Sequence, residues 1–154
     1  MPTKTTPKKI RPRSSLAIQL AVAGAPRAAL LRRYALAAKP ARAVVSLRVV
    51  GAPEARRLNK KFRTRDYAAN VLSFAYGGGS GDVVLCHPVI AKEARAQGKS
   101  LRAHYAHLVV HGVLHLRGHD HLRRAGAARM ERAEIRILRR LGFGDPYALR
   151  EAVK

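Results

Sequence analysis

Acidic residues are scarce in this chain, and none occurs before Glu54. Nine Asp and Glu stand against 31 Lys and Arg, a formal net charge of +22 over 154 residues. Eleven of the basic residues precede that first carboxylate. So one-sided a surface calls for an extended polyanionic partner, either nucleic acid or an anionic membrane. The competing reading is a general drift of surfaces towards arginine. Cysteine is also scarce: Cys86 stands alone, which excludes an internal disulfide and suits a reducing compartment. Long apolar runs are missing, since no stretch approaches the 18 or so residues needed to span a bilayer. Apolar residues still make up 47% of the chain, so it has the means to bury a core and is no histone-like tail.

The first thirteen residues carry Lys4, Lys8, Lys9, Arg11 and Arg13, interrupted by Pro2, Pro7 and Pro12. Such a segment cannot build a core, and residues 1–13 read as a flexible basic arm before a folded domain at 14–154. Leu16 to Ala25 has the apolarity of an export signal, with Ala21-Val22-Ala23 resembling a small-residue cleavage site. Against that, Gln19 breaks the run, and Leu16, Ile18, Leu20 and Val22 alternate as in a half-buried strand. The expectation is a cytoplasmic protein.

After a first strand over Leu16 to Val22, a helix is expected from Ala28 to Ala38, stopped near Pro40, with Leu30, Leu31 and Tyr34 inward. Ala43 to Val50 is rich in β-branched residues and reads as a strand. Pro53 opens a helix running to Phe62, with Leu58 and Phe62 towards a sheet. Val71 to Tyr76 and Asp82 to Cys86 read as strands joined through the glycines of 77–81. Those glycines lack the Lys-Ser or Lys-Thr of a phosphate loop. Helical segments follow over Pro88 to Ala96, Leu101 to Leu116 and Leu122 to Leu141, the last with Met130, Ala133, Ile137, Leu138 and Leu141 on one face. The order predicts an α/β or α+β single domain, with one small four-stranded mixed sheet packed by about five helices.

The chemistry concentrates between His107 and His121. His111 and His115 stand four apart on a predicted helix and face the same point. Gly118 suits a left-handed helix end, after which the chain can double back and His121 can add a third nitrogen. Three imidazoles leave a tetrahedral zinc one open position, with zinc–nitrogen distances of about 2.0–2.1 Å. The spacing also matches the extended zinc-protease motif His-Glu-x-x-His-x-x-Gly-x-x-His, but Gly112 stands where that motif has its glutamate. Without the carboxylate a protease lacks its means of activating water. Asp120 either fixes the tautomer of a ligand imidazole or acts directly as a base. His107 reads as a residue behind the ligands or at the core edge, His104 as solvent-facing or packed beside His107, and His119 as exposed. The Cys86-His87 pair hints at a soft metal site, yet its strand context favours a buried cysteine acting as a small hydrophobe.

His111, Gly112, Leu114, His115, Leu116, Gly118, Asp120 and His121 together resemble the signature of the bacterial endoribonuclease YbeY family, also called rRNA maturation factors. A second block is similar as well: Leu58-Asn59, Phe62-Arg63, Asp66, Asn70 to Phe74, and Gly81-Asp82. The segment from Gly142 to Tyr147, with Asp145-Pro146, resembles the end of family members. Two departures stand out, His119 where the family often has tyrosine and Ala69 where it often has threonine.

The resemblance implies a zinc-dependent domain that matures rRNA, particularly the 3′ end of the small-subunit RNA, and assists ribosome quality control. It implies one zinc held by His111, His115 and His121, and places the family's cleft arginine at Arg63. Arg63 and Asp120 are then the candidate catalytic residues. Arg63 would stabilise charge on the transferring phosphoryl group, with an ion pair to Asp66 or plain RNA contact as the blander roles. Ser73 either orients a group near the cleft or caps its strand. The implied partners are rRNA and the small ribosomal subunit, with ribosomal proteins or an assembly GTPase beside them and no membrane. The rival reading is a ribosome-assembly factor whose zinc is mainly structural and whose nuclease activity is small.

Overall fold

The computed structural model describes residues 15–118 and 124–148. The basic arm at 1–13 lies outside the described residues, as do His119, Asp120 and His121. The described elements are β1 (Leu16–Leu20), α1 (Ala28–Ala38), β2 (Val45–Val50), α2 (Ala52–Arg63), β3 (Val71–Gly77), β4 (Ser80–Cys86), α3 (His87–Gln97), α4 (Leu101–Leu116) and α5 (Arg124–Arg140). The strands form one sheet in the order β1-β2-β4-β3. β1, β2 and β4 run parallel, and β3 pairs antiparallel with β4. The result is the expected α+β domain with a four-stranded mixed sheet and five helices.

Alternation along the strands divides the core in two. Val45, Leu47, Val49, Val83 and Leu85 join the larger cluster with α1, α4 and α5, whereas Leu72, Val84 and Cys86 join a smaller one with Ala55 of α2. α1 buries Leu31, Tyr34, Ala35 and Ala38, the spacing of a single helical face. α4 begins at Ser100, whose hydroxyl accepts the Ala103 N–H at 3.0 Å. It is apolar nearly all round because the sheet and α1 cover one side and α5 another, with Tyr105, Val109, Val110, Val113 and Leu114 wholly buried. Among the described residues no helix is long and apolar enough to cross a membrane.

Three local expectations are corrected. The turn between β3 and β4 takes only Gly78 and Gly79, because Gly77, Ser80 and Gly81 belong to the paired strands. Phe62 is 53% exposed, its ring meeting Phe74 edge-on at the margin of the sheet instead of entering the core. β1 stops at Leu20, which is itself exposed, so the alternation that continues to Val22 outlasts the strand.

Candidate metal centre and cleft

α4 is the helix that carries four of the histidines. His104, His107, His111 and His115 recur at intervals of three and four, so they form one stripe along it. The rings of His111 and His115 lie 4.7 Å apart between centroids, and those of His107 and His111 lie 6.1 Å apart. His104 is buried, contrary to a solvent-facing reading, with Nε2 at 2.9 Å from Glu93 Oε1. Loss of water lowers its pKa, against the opposing effect of its hydrogen bond to the Glu93 carboxylate.

The second contributor is Glu134 of α5, a carboxylate with no exposed surface. Its Oε1 lies 2.8 Å from His107 Nε2 and also takes the Tyr147 hydroxyl, while Oε2 lies 2.6 Å from His111 Nδ1. Burial alone would raise its pKa. Hydrogen bonds from His107 and His111, the charge of His111 and the Tyr147 hydroxyl outweigh that and bring it down to about 2. Glu134 therefore sits ionised in the core, satisfied from three directions. His107, His111 and Glu134 form a cluster whose ligand atoms lie within 4.8 Å of one another, able to coordinate a metal ion.

On the other side, His111 and His115 border an open cleft of about 400 Å³ that also exposes Arg63, Asn70 and Ser73. Arg63 ends α2, and Thr64 closes that helix in the left-handed conformation with φ 57°. The guanidinium stands 5.1 Å from the centre of the Phe74 ring and donates to the Ser73 carbonyl. The alternative partner is taken, because Asp66 pairs with Arg56 at 2.7 Å. Ser73 turns its own hydroxyl to the Gly112 carbonyl at 3.0 Å, tying β3 to α4 between the two histidines.

Gly112 is where that helix touches the sheet. A Cβ there would fall 2.8 Å from Val83 Cγ1, 3.2 Å from Ser73 Oγ and 3.3 Å from Val71 Cγ2. The glutamate of the protease motif has no room at this position. Gly118, with φ 87°, follows the end of α4 and donates its N–H to the His115 carbonyl at 3.0 Å. Cys86 and His87 serve other ends. The thiol is buried in the smaller core cluster and burial raises its pKa, while His87 Nδ1 lies 2.8 Å from the Tyr105 hydroxyl.

Of the residues singled out from sequence, Arg63, His111 and His115 thus share one cleft, and Asp120 and His121 lie outside the described residues. Sequence reading missed Glu134. The signal was present, since it stands four residues from both Met130 and Leu138, inside the apolar stripe of α5.

The sequence model of the family described as Endoribonuclease YbeY matches residues 26–142. The chain is 49% identical over 144 residues to an Endoribonuclease YbeY of Aromatoleum aromaticum, covering 88% of this chain and 94% of that protein. It is 50% identical over 149 residues to one from Bordetella pertussis, covering 86% and 95%. A solution structure of a Thermotoga maritima protein superposes with a TM-score of 0.57 at 20% identity, over 85% of this chain and 97% of that one. At that identity the likeness speaks for the fold alone.

Proposed function

The chain belongs to the YbeY endoribonuclease family, and on that premise we propose that it is a zinc-dependent endoribonuclease of rRNA maturation. Its substrate is the 3′ region of small-subunit precursor RNA, and it acts in ribosome quality control. One observation carries the reading. Arg63 comes from α2 and the sheet margin, His111 and His115 come from α4, and all three border one open cleft. His111 and His115, with His121, would hold the zinc. The other set that includes His111 turns inward, since its carboxylate, Glu134, is fully buried, and it does not include Arg63.

Zinc in such a site supplies Lewis acidity, polarising a phosphoryl oxygen and acidifying water. Arg63 is exposed, and its fork is aimed by the Ser73 carbonyl and the Phe74 ring, so it can meet phosphate oxygens in pairs. Asp120, next to His121 in sequence, acts as base or as partner to a ligand imidazole. The setting is the cytoplasm, with the small subunit, ribosomal proteins or an assembly GTPase as partners.

The test is incubation of purified protein with small-subunit precursor RNA. Stripping the zinc should stop cleavage and restoring it should recover cleavage. Unchanged RNA processing by stripped but folded protein would favour the assembly-factor reading.

The charge makes a separate claim. A net +22 implies binding mostly through phosphates, so RNA affinity should fall with salt at a log–log slope of several units, each neutralised phosphate adding roughly 0.7–0.9. Removing residues 1–13 takes away five of the 31 basic residues. It should lower that slope, weaken binding almost equally across unrelated RNAs, and leave zinc content unchanged. Equal slopes for the full-length and shortened chains, titrated at four salt concentrations, would show that the arm does not touch RNA.

A further inference from the structure

Glu134 is an expensive residue to bury, since a carboxyl group without surface must find hydrogen-bond partners inside the protein. A leucine or methionine would continue the stripe made by Met130, Ala133, Ile137 and Leu138 without that demand. What the carboxylate does is specific. One oxygen meets His111 Nδ1 at 2.6 Å, and the other is pinned by His107 Nε2 at 2.8 Å and by the Tyr147 hydroxyl.

We infer that Glu134 is a positioning residue for the metal centre, holding His111 in the Nδ1–H form so that Nε2 is the nitrogen given to zinc. Nδ1 faces the carboxylate, so only the opposite nitrogen can reach a metal, and with the Nε2 lone pair given to zinc the ring proton stands on Nδ1, where Glu134 Oε2 accepts it. The 2.6 Å contact also fixes the plane of the ring about its long axis, which sets the direction of that lone pair relative to His115 one turn on. His107 and Tyr147 act one step further back. They occupy the first oxygen and keep the carboxylate from turning away from His111. This assigns a purpose to His107 that differs from ligation: its Nε2 is committed to Glu134, and it braces the brace. The inference rests on His111 being a zinc ligand, as proposed above.

The experiment uses the full-length, zinc-loaded protein and the near-isosteric variant Glu134→Gln. Long-range proton–nitrogen NMR on the histidine rings should show His111 protonated at Nδ1 and coordinated through Nε2 in the wild type. Competition with a chromophoric chelator should show zinc held about 10–100-fold more weakly by Glu134→Gln, the usual effect of removing a partner behind a metal-bound histidine. Glu134→Asp, which keeps the charge, should recover part of that loss. The wild-type spectrum decides the matter even where the glutamine variant folds poorly. Coordination through Nδ1 in the wild type overturns the inference. So does a Glu134→Gln variant that melts earlier yet binds zinc as tightly as the wild type. X-ray absorption showing a carboxylate oxygen bound to the metal would make Glu134 a ligand, which also overturns it. Failure of the underlying reading looks different: zinc would then bind with unchanged affinity to His111→Ala.

Discussion

Replacing His115 with alanine should empty the metal centre and abolish cleavage of small-subunit precursor RNA while leaving a folded protein. The loss should exceed the roughly 10–100-fold typical of a residue that only supports a ligand, because the proposed ligand set counts His115 as a direct donor. The fold should survive because the packing of this turn is carried by Leu114 and Leu116, which are buried, whereas His115 faces the cleft and is only partly covered. Bound zinc by elemental analysis, thermal melting and RNA cleavage should be measured on the same preparation. A variant that keeps one zinc per chain and cleaves normally would remove His115 from the centre.

Arg63→Lys should separate binding of the metal from the chemistry on the phosphate. Cleavage should fall by about 10²–10³, the range seen when one preorganised donor to a developing oxyanion is removed. Zinc content and melting should stay put, since the guanidinium is exposed and its contacts are a strand carbonyl and the face of an aromatic ring. Lysine keeps the charge but loses the planar fork and the stacking geometry, so the comparison isolates shape from charge. Lys61→Ala is the control: that ammonium lies 5.2 Å from the centre of the Phe62 ring, two residues earlier on the same helix, and cleavage should barely change. Equal rates for Arg63→Lys and wild type would reduce Arg63 to a contributor of bulk positive charge.

How far the sequence could be read depended on whether the relevant partner was local. α1 and α4 run over Ala28–Ala38 and Leu101–Leu116 as expected, because Pro40 follows the first, Ser100 caps the second, and the apolar spacing in between is unbroken. The His111–His115 pair was legible for the same reason, being set by one helical turn. Glu134 and the burial of His104 were not. Each depends on a partner brought in by another helix, Glu134 reaching from α5 to α4 and Glu93 reaching from α3 to His104. A charged side chain in a helix is assigned to solvent by default; the apolar stripe around Glu134 argues for its burial, but only the fold reveals which donors meet it. Phe62 erred in the opposite direction: its spacing matched the buried face of α2, but the helix ends at the sheet margin, where less strand remains to cover the ring.

The contact of Gly112 with Val83, Ser73 and Val71 restricts what this scaffold can become. Even a methyl group here would press on a filled core, and overpacking of that kind costs about 1–3 kcal/mol. A glutamate would also bury a charge against valines. Any lineage or designer wishing to turn the zinc-protease-like spacing into a peptidase would therefore have to lift α4 off the sheet before installing the base. That movement would carry His111 and His115 away from Arg63. The neighbouring chemistry lies one substitution away in sequence but is walled off by volume, so the choice of reaction is inherited from the interior of the domain and not from the lining of its cleft.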